Sequence, residues 1–353
     1  MGLGCEQRSG PHSLSPPARD ERAAGALPSL PVSTPPAVLF DAPILAQVVR
    51  GDLVESVHRA SVCVAEPGGR PDLVLGDATS PCFPRSSNKP LQALAMVRAG
   101  LDLPDHLLAL TCASHSGQDY HLAGVREILD GAGLGLADLQ NTPDLPYDPA
   151  AREAALADGA ARSSLFQNCS GKHAAMLATC RVAGWDLASY RDPGHPLQRH
   201  IAEVVGELAG ESITASAVDG CGAPVVAISL GGLARAFGAL AAADEATPEG
   251  RVARAMRRHP EYVGGDGRDV TILMSQTPGL IAKDGAEAVY AVGLADGRGV
   301  ALKVADGGQR ARPVILAAVL RRIGVHSPAL AALEDAPVLG HGEPVGAVVA
   351  TGI

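Results

Sequence analysis

Strand patterns at both ends of the chain enclose a long helical stretch. Near the start, ILAQVVRG and LVESVHRASVCVAE are rich in β-branched residues that partly alternate with polar ones, and Gly51-Asp52 forms a turn between them. From 86 to about 262, apolar residues recur at the spacing of three to four that is typical of helices. Strand patterns return over 271–307, followed by a helical segment and a short strand-like run. Because both ends supply strands, the sequence predicts one antiparallel sheet with the helices inserted beside it.

This order predicts an α/β (α+β) fold with two lobes and a cleft between them. The sheet lobe is expected at about 41–84 and 265–353, and the helical lobe at about 85–264. Together the two lobes form a single domain, 41–353. Residues 1–40 are rich in Pro, Ser, Arg and Ala and show no periodicity, which predicts a disordered N-terminal tail.

The charge balance and the cysteines restrict the expected partners and surroundings. The 29 basic and 38 acidic residues give a net charge of −9 without a basic patch, so we expect neither nucleic acid nor membrane as a partner. The seven cysteines are odd in number and unevenly spaced, and the first residues lack the apolar core of a secretory leader. These features favour reduced thiols and a cytoplasmic location.

The segment Arg85-Ser86-Ser87-Asn88-Lys89-Pro90 is the first candidate for chemistry. Pro90 fits only the first turn of a helix, and apolar residues follow it at helical spacing. Ser86 and Lys89 would then share one face at a helix N-terminus. The free N–H groups there favour negative charge, such as a serine alkoxide, and the neutral form of a nearby lysine. The pattern S-x-x-K alone is a weak signal, because most copies of it are solvated helix surface.

Two further segments repeat this chemistry. Cys112-Ala113-Ser114-His115-Ser116-Gly117 is either a polar loop that caps the next helix or a place where Ser114 lies beside the nucleophile. His115 is a candidate base, although a lone histidine is more often structural. Lys283-Asp284-Gly285 follows an apolar stretch, where a lysine is commonly an exposed edge residue. The order S-x-x-K, Ser-rich loop, K-x-G nevertheless matches that of serine β-lactamases and penicillin-binding proteins, which favours catalytic roles for Ser114 and Lys283.

A third pattern has the spacing of metal ligands. Cys169, Lys172 and His173 occupy positions i, i+3 and i+4 at the start of a predicted helix, so all three can point the same way. Cys221 lies in a tight, Gly-rich loop. Two thiolates and a third ligand would make a zinc site with an open fourth position, and spacing alone favours His173, because imidazole is a far commoner ligand than an amine. The alternative is two unpaired, buried cysteines.

Six segments together resemble the rhizobial-type L-asparaginases, also called the asparaginase II family. They are RSSNKPLQAL, CASHSGQDYH, NCSGKHAAML, DGCGAP, RHPEYVGGDGR and GLIAKDGAEAVYAVG, and the similarity extends from about 54 to 325. The resemblance implies a fold similar to that of serine β-lactamases and glutaminases, with 41–353 as a single catalytic domain. It also implies hydrolysis of the side-chain amide of L-asparagine to L-aspartate and ammonia, and a homodimer.

The resemblance assigns catalysis to two Ser-Lys pairs. By motif match these are Ser86 with Lys89, and Ser114 with Lys283. On this hypothesis Ser86, deprotonated by Lys89, attacks the amide carbonyl, while Ser114 and Lys283 relay protons to the leaving ammonia. Water then hydrolyses the acyl-enzyme.

The resemblance also assigns a zinc cofactor and substrate contacts. Zinc would be bound by Cys169, Lys172 and Cys221 with a water, so that Lys172 takes the place that spacing alone gives to His173. A lysine bound to zinc must be neutral, which the ion can enforce at close range. Asp219 would support the zinc site or bind the substrate's ammonium group. The remaining polar groups of the cleft would be Arg85, His58 and Arg59.

Two alternatives to an L-asparaginase stay open. One is a serine amidohydrolase directed at glutamine or at β-lactams; the cysteine pair counts against the β-lactam interpretation, because that chemistry does not use it. The other is a zinc-containing asparagine-binding protein without catalysis. The complete set of serines and lysines counts against this second alternative.

Overall fold

A computed structural model describes Met1 and residues 42–353 of the 353-residue chain. Residues 42–353 belong to one compact unit. Apart from Met1, the predicted disordered tail lies outside the described residues, so it stays a prediction. Within the described ranges, no helix combines the length and the apolar character that crossing a membrane requires.

The main sheet takes its strands from both ends of the chain. It has the order β6-β7-β8-β2-β1-β10-β9, with β3 paired to β2; all of these pairs are antiparallel, and β4 and β5 form a separate hairpin. This arrangement confirms the predicted fold class. The strands in residues 42–353 are β1 (Ile44–Arg50), β2 (Leu53–Ala65), β3 (Pro71–Leu75), β4 (Ser216–Val218), β5 (Pro224–Val226), β6 (Ile281–Gly285), β7 (Val289–Gly293), β8 (Gly299–Val304), β9 (Pro337–Gly340) and β10 (Glu343–Ala350).

Most of the helices come between β3 and β6 and form the inserted helical block that the sequence predicts. Short 3₁₀ turns also occur, and one of them precedes α1. The α-helices in residues 42–353 are α1 (Lys89–Arg98), α2 (Asp105–Thr111), α3 (Asp119–Gly131), α4 (Pro149–Ala157), α5 (Ser170–Ala183), α6 (Pro196–Ala209), α7 (Leu230–Ala242), α8 (Pro248–Arg258), α9 (Pro260–Val263), α10 (Asp269–Gln276), α11 (Ala311–Arg322) and α12 (Pro328–Glu334).

Strand β1 is hydrogen-bonded between β2 and β10, so that the first and last strands of the sheet lobe are neighbours. Val48 of β1 lies opposite Val348 of β10, and both side chains are buried. Gln47 lies opposite Val349 and Val57 on the other face, where the side chains are more exposed. The period-2 alternation seen in the sequence therefore sets which face of these strands packs on the core.

Helix α7 packs against β7 and β8 with its backbone close to theirs. A Cβ atom on Gly299 would lie 1.8 Å from the carbonyl oxygen of Ala234, and one on Gly293 would lie 2.1 Å from that of Phe237. No side chain fits in either place, so glycine is required there for close approach. This contact fixes the helical block against the sheet.

One segment differs from the sequence prediction. The sequence predicts strand from 271 onwards, because Val270, Thr271 and Ile272 are β-branched. The structure has helix α10 at Asp269–Gln276 instead. Val270, Leu273 and Met274 are buried at helical spacing, so packing against neighbouring elements overrides local strand propensity.

We expect Gly299→Ala to lower the free energy of unfolding by about 1–3 kcal/mol, because the added methyl group overlaps a backbone carbonyl of α7. Urea unfolding measures the change. Gly131→Ala is the control: nothing lies within 4 Å of a Cβ atom at Gly131, in the last turn of α3. That variant should be stabilised, by less than about 1 kcal/mol. Equal destabilisation of the two variants would contradict the close helix–sheet contact.

Candidate active site

Ser86 lies in a 3₁₀ turn, Arg85–Asn88, that leads directly into α1. Lys89 is the first residue of α1, and Pro90 occupies its first turn as the sequence predicts. Because a 3₁₀ turn has three residues, Ser86 and Lys89 lie on the same face although Ser86 is outside the α-helix. Ser86 is partly exposed, whereas the Lys89 side chain is buried.

Arg85 holds this turn against the β4–β5 loop. Its φ of 53° is in the left-handed region, which costs an L-residue about 1–2 kcal/mol. Its guanidinium donates to Asp219, with Nε–Oδ1 and Nη2–Oδ1 distances of 2.9 and 2.8 Å. Burial raises the pKa of Asp219, but the charges of Lys172 and Arg85 and a backbone hydrogen bond lower it overall. Two predicted substrate-binding residues therefore bind each other and link the Ser86 turn to this loop.

The amine of Lys89 contacts Ser114. Nζ donates to the Ser114 hydroxyl at 3.0 Å and to the carbonyl oxygen of Ala113 at 2.5 Å. Ser114 follows α2, and its N–H donates to the carbonyl oxygen of Val263 at 3.1 Å, which fixes the loop. The structure thus joins the lysine of the first predicted Ser-Lys pair to the serine of the second.

Lys283 is fully buried on β6, which is an edge strand of the sheet. Its amine donates to the carboxylate of the neighbouring Asp284 and, at 2.7 Å, to the Asp284 carbonyl oxygen. Burial lowers the pKa of Lys283 to about 8; the attraction of Asp284 opposes this shift, and repulsion from Lys89 adds to it. Lys283 can therefore lose its proton in mildly alkaline solution.

Gly285 brings β6 against the Ser86 turn. A Cβ atom on Gly285 would lie 2.7 Å from the carbonyl oxygen of Pro84 and 3.1 Å from the backbone nitrogen of Ser87. The glycine of the K-x-G motif therefore allows the strand that carries Lys283 to reach the turn that carries Ser86. All four residues predicted to be catalytic belong to elements that meet here.

Cys169, Lys172 and Cys221 form a second buried group. Cys169 is the N-cap of α5, and the Lys172 amine lies 3.3 Å from the Cys221 sulfur. A hydrogen bond from Cys169 lowers the pKa of Cys221 to about 4, against the effect of burial, and the charge of Lys172 lowers it further. Cys221 is therefore the more acidic of the two thiols, and it is the one that lies beside the Lys172 amine.

This donor set fits zinc, which takes thiolate and nitrogen ligands and can keep a fourth position open. In the described part of the chain, no group of three or more His, Cys, Asp or Glu could hold a metal ion, and the nitrogen beside the Cys221 sulfur is that of the Lys172 amine. His173, which spacing alone favours, has its Nδ1 2.7 Å from the Tyr190 hydroxyl. Burial lowers the pKa of His173 well below its usual value, so the ring is neutral and bound to Tyr190.

Two predicted substrate-binding residues have other partners. His58 on β2 has Nδ1 2.7 Å from Asp306 and accepts a hydrogen bond from Arg310 at 3.0 Å. Arg59 is exposed and donates to the carbonyl oxygen of Ala42. The structure joins neither of them by a hydrogen bond to the Ser-Lys residues of the described chain.

His115, the candidate base, makes structural contacts rather than contacts with the Ser-Lys residues. Its Nε2 lies 2.8 Å from the Ser170 hydroxyl, and its backbone N–H donates to the carbonyl oxygen of Asn168 at 3.0 Å. Burial lowers the pKa of His115 well below its usual value. The residue therefore connects the Ser114 loop to the start of α5, as the structural alternative holds.

Sequence reasoning gave no role to Arg268 or Asp284. Arg268 donates to the Ser114 carbonyl oxygen at 3.4 Å and to the Asp284 carboxylate at 2.8 Å. Both residues belong to segments that the family resemblance matched, RHPEYVGGDGR and GLIAKDGAEAVYAVG. Their place in matched segments was the available signal, but only the fold shows that these residues meet.

At the junction of the sheet and the helical block, two serines and two lysines lie together. This residue set is compatible with a hydrolytic amidase. The sequence comparison is consistent with this class and more specific. The model of the L-asparaginase II family matches residues 46–350, so the chain belongs to that family. Among curated proteins, none matches the sequence.

Solved structures give a looser likeness. A β-lactamase from Mycobacterium bovis is 16% identical over 82% of this chain and 98% of its own length, with a TM-score of 0.45. Mglu in its native form is 16% identical over 80% of this chain, with a TM-score of 0.34. This chain spans 63% of the length of Mglu. At such TM-scores the family assignment depends on the sequence match alone.

We expect Arg85→Gly to be more stable than Arg85→Ala by about 1 kcal/mol. Both variants lose the ion pair with Asp219, but only glycine accepts the left-handed backbone without strain. Thermal unfolding of both variants measures the difference. At Arg59, in the extended strand β2, the order should reverse, with Gly less stable than Ala. The same order at both positions would contradict strain at Arg85.

Proposed function

We propose that the chain is an L-asparaginase that hydrolyses the side-chain amide of L-asparagine to L-aspartate and ammonia. Membership of the L-asparaginase II family supports this substrate. The observation that carries the chemistry is the buried contact between the Lys89 amine and the Ser114 hydroxyl, one turn away from the accessible Ser86. A hydroxyl held by a buried amine is prepared for proton transfer.

In the proposed reaction, Ser86 attacks the amide carbonyl and its proton passes to Lys89. Ser114, which accepts a hydrogen bond from the Lys89 amine, relays that proton to the neutral form of Lys283, which delivers it to the leaving nitrogen. The C–N bond breaks, ammonia leaves, and the acyl group stays on the Ser86 oxygen as an ester. Water then attacks the ester and gives a proton to the neutral form of Lys283. The same relay, run in reverse through Ser114 and Lys89, passes a proton to the Ser86 oxygen as its C–O bond to the acyl group breaks.

Cys169, Lys172 and Cys221 are the residues that would hold zinc. The ion would supply positive charge for the carboxylate end of the substrate. The ion pair between Arg85 and Asp219 connects this group to the Ser86 turn, because Arg85 belongs to the turn and Asp219 interacts with Lys172. We assign Arg85 and Asp219 the role of orienting the charged end of the substrate, so that its side-chain amide faces Ser86.

We expect Ser86→Ala to lower turnover of asparagine by at least about a thousandfold, because the nucleophile is removed. Ammonia release measures it, with asparagine and glutamine compared for the unaltered protein. The matched control is Ser275→Ala, an exposed serine on α10 whose hydroxyl donates to the Thr271 carbonyl oxygen; it should keep full activity. Near-normal turnover in Ser86→Ala would remove Ser86 from the mechanism. Binding of asparagine by the unaltered protein without ammonia release would favour the non-catalytic alternative.

Purified protein should contain about one zinc ion per chain, measured by elemental analysis. Cys169→Ser, Cys221→Ser and Lys172→Met should each lower this content, because each removes a donor. Cys180→Ser, on the same helix as Lys172 but buried elsewhere in the core, is the control and should keep it. Loss of zinc in His173→Asn but not in Lys172→Met would overturn the assignment of the third ligand.

The cytoplasmic location, the homodimer, and the absence of nucleic acid and membrane partners stay predictions. The same holds for the substrate roles of His58, which the Asp306 carboxylate binds, and of Arg59, which donates to the Ala42 carbonyl oxygen.

A further inference from the structure

Asp284 is a buried carboxylate surrounded by three cationic side chains. Arg268 donates to it at 2.8 Å and Arg312 at 3.4 Å, and the Lys283 amine also donates to it. The charges of these neighbours lower the pKa of Asp284 well below its usual value, against the effect of burial. The carboxylate is therefore ionised at any pH at which the enzyme would work.

The charges of this cluster balance only when Lys283 is neutral. Arg312 binds a second carboxylate, Asp269, at 2.6 Å, so two arginines face two carboxylates. The Lys283 ammonium is the additional charge, in a position with no exposure to solvent. A buried charge without its own counter-charge is costly, and loss of the proton removes that cost.

Each of the two arginines packs on an aromatic ring. The guanidinium of Arg268 lies 4.7 Å from the centre of the Tyr147 ring, and that of Arg312 lies 4.8 Å from the centre of the Tyr290 ring. Arg268 also donates to the Ser114 carbonyl oxygen. The same arginine therefore contacts the loop of Ser114 and the acid that holds Lys283.

We propose that Asp284, clamped by Arg268 and Arg312, is a positioning residue that holds the Lys283 amine and sets its proton affinity. The inference rests on the proposed function, in which Lys283 acts as a base. The negative charge of Asp284 favours the protonated form of Lys283. The positive charge of Arg268 disfavours that form. The two residues therefore act on Lys283 in opposite directions, which a purely structural role does not require.

Several charged or titratable groups face Lys283 from the elements packed around it. Lys89 of α1 and Arg268 disfavour its charge, and Asp284 of β6 favours it. The other members of the surrounding network are Cys112 after α2, Asp269 of α10, Arg312 of α11 and Tyr290 of β7.

The test compares pH profiles of the full-length enzyme and its variants. For the unaltered protein, kcat/KM for asparagine should rise as pH rises through about 8, where Lys283 becomes neutral. Asp284→Asn should move this limb to lower pH by about one unit or more, and Arg268→Gln should move it to higher pH by a similar amount. Arg268→Lys keeps the charge and should leave the limb within a few tenths of a unit of the unaltered protein.

Asp105→Asn is the matched control. Asp105 is also shared by two arginines, Arg254 and Arg258, but it lies at the opposite end of α2 from the Ser114 loop. Its variant should keep the unaltered pH profile. Arg268 is partly exposed, so Arg268→Gln tests the inference even where Asp284→Asn does not fold.

Labelling of the active-site serine by a fluorophosphonate supplies a second profile that does not depend on asparagine. The labelling rate should show the same opposite shifts. Limbs that move in the same direction in Asp284→Asn and Arg268→Gln, or do not move, would overturn the role of Asp284 while leaving the asparaginase assignment in place. Absence of ammonia release by a protein that the probe labels would overturn the proposed substrate, and the labelling profiles would still decide the role of Asp284.

Discussion

Three buried lysine amines dictate the arrangement of the site. Lys89, Lys172 and Lys283 are among the largest fully buried side chains of the described chain. A buried amine without a partner is costly in its neutral form and more so when it is charged, so each needs a partner close by. The loops that bring these partners are therefore fixed by electrostatics as well as by packing. The partners are the Ser114 hydroxyl for Lys89, the Cys221 sulfur for Lys172 and the Asp284 carboxylate for Lys283.

The Ser-Lys group and the cysteine group are coupled through one ion pair. Arg85 belongs to the Ser86 turn, and Asp219 precedes the cysteine of the β4–β5 loop. Asp219 interacts with Lys172 and with Arg85, so a change of charge in one group reaches the other through this carboxylate. The left-handed backbone of Arg85 shows that the chain accepts local strain to make this contact.

The sequence predicted the secondary-structure elements better than it predicted the contacts between side chains. Periodicity identified the strands at both ends and the helical block. At Asp269–Gln276, packing against neighbouring elements overrides the strand propensity of the β-branched residues, and the segment is a helix. Pro90 and the helical spacing that follows it located Ser86 and Lys89 correctly at a helix start. The sequence could not show that the Lys89 amine reaches Ser114, because the partner of a long side chain is set by the folded structure. The same limit hid Asp284, whose neighbours come from distant segments.

The position of β1 between β2 and β10 has a consequence for synthesis. Strand β1 leaves the ribosome early, yet one of its edges has no partner until Glu343–Ala350 has been made. An unpaired strand edge is a template for non-native pairing. The nascent chain therefore passes through a long interval in which the β1–β2 hairpin can pair with other strands. Helices form through local contacts and need not wait, whereas the sheet closes only after β10 has been synthesised.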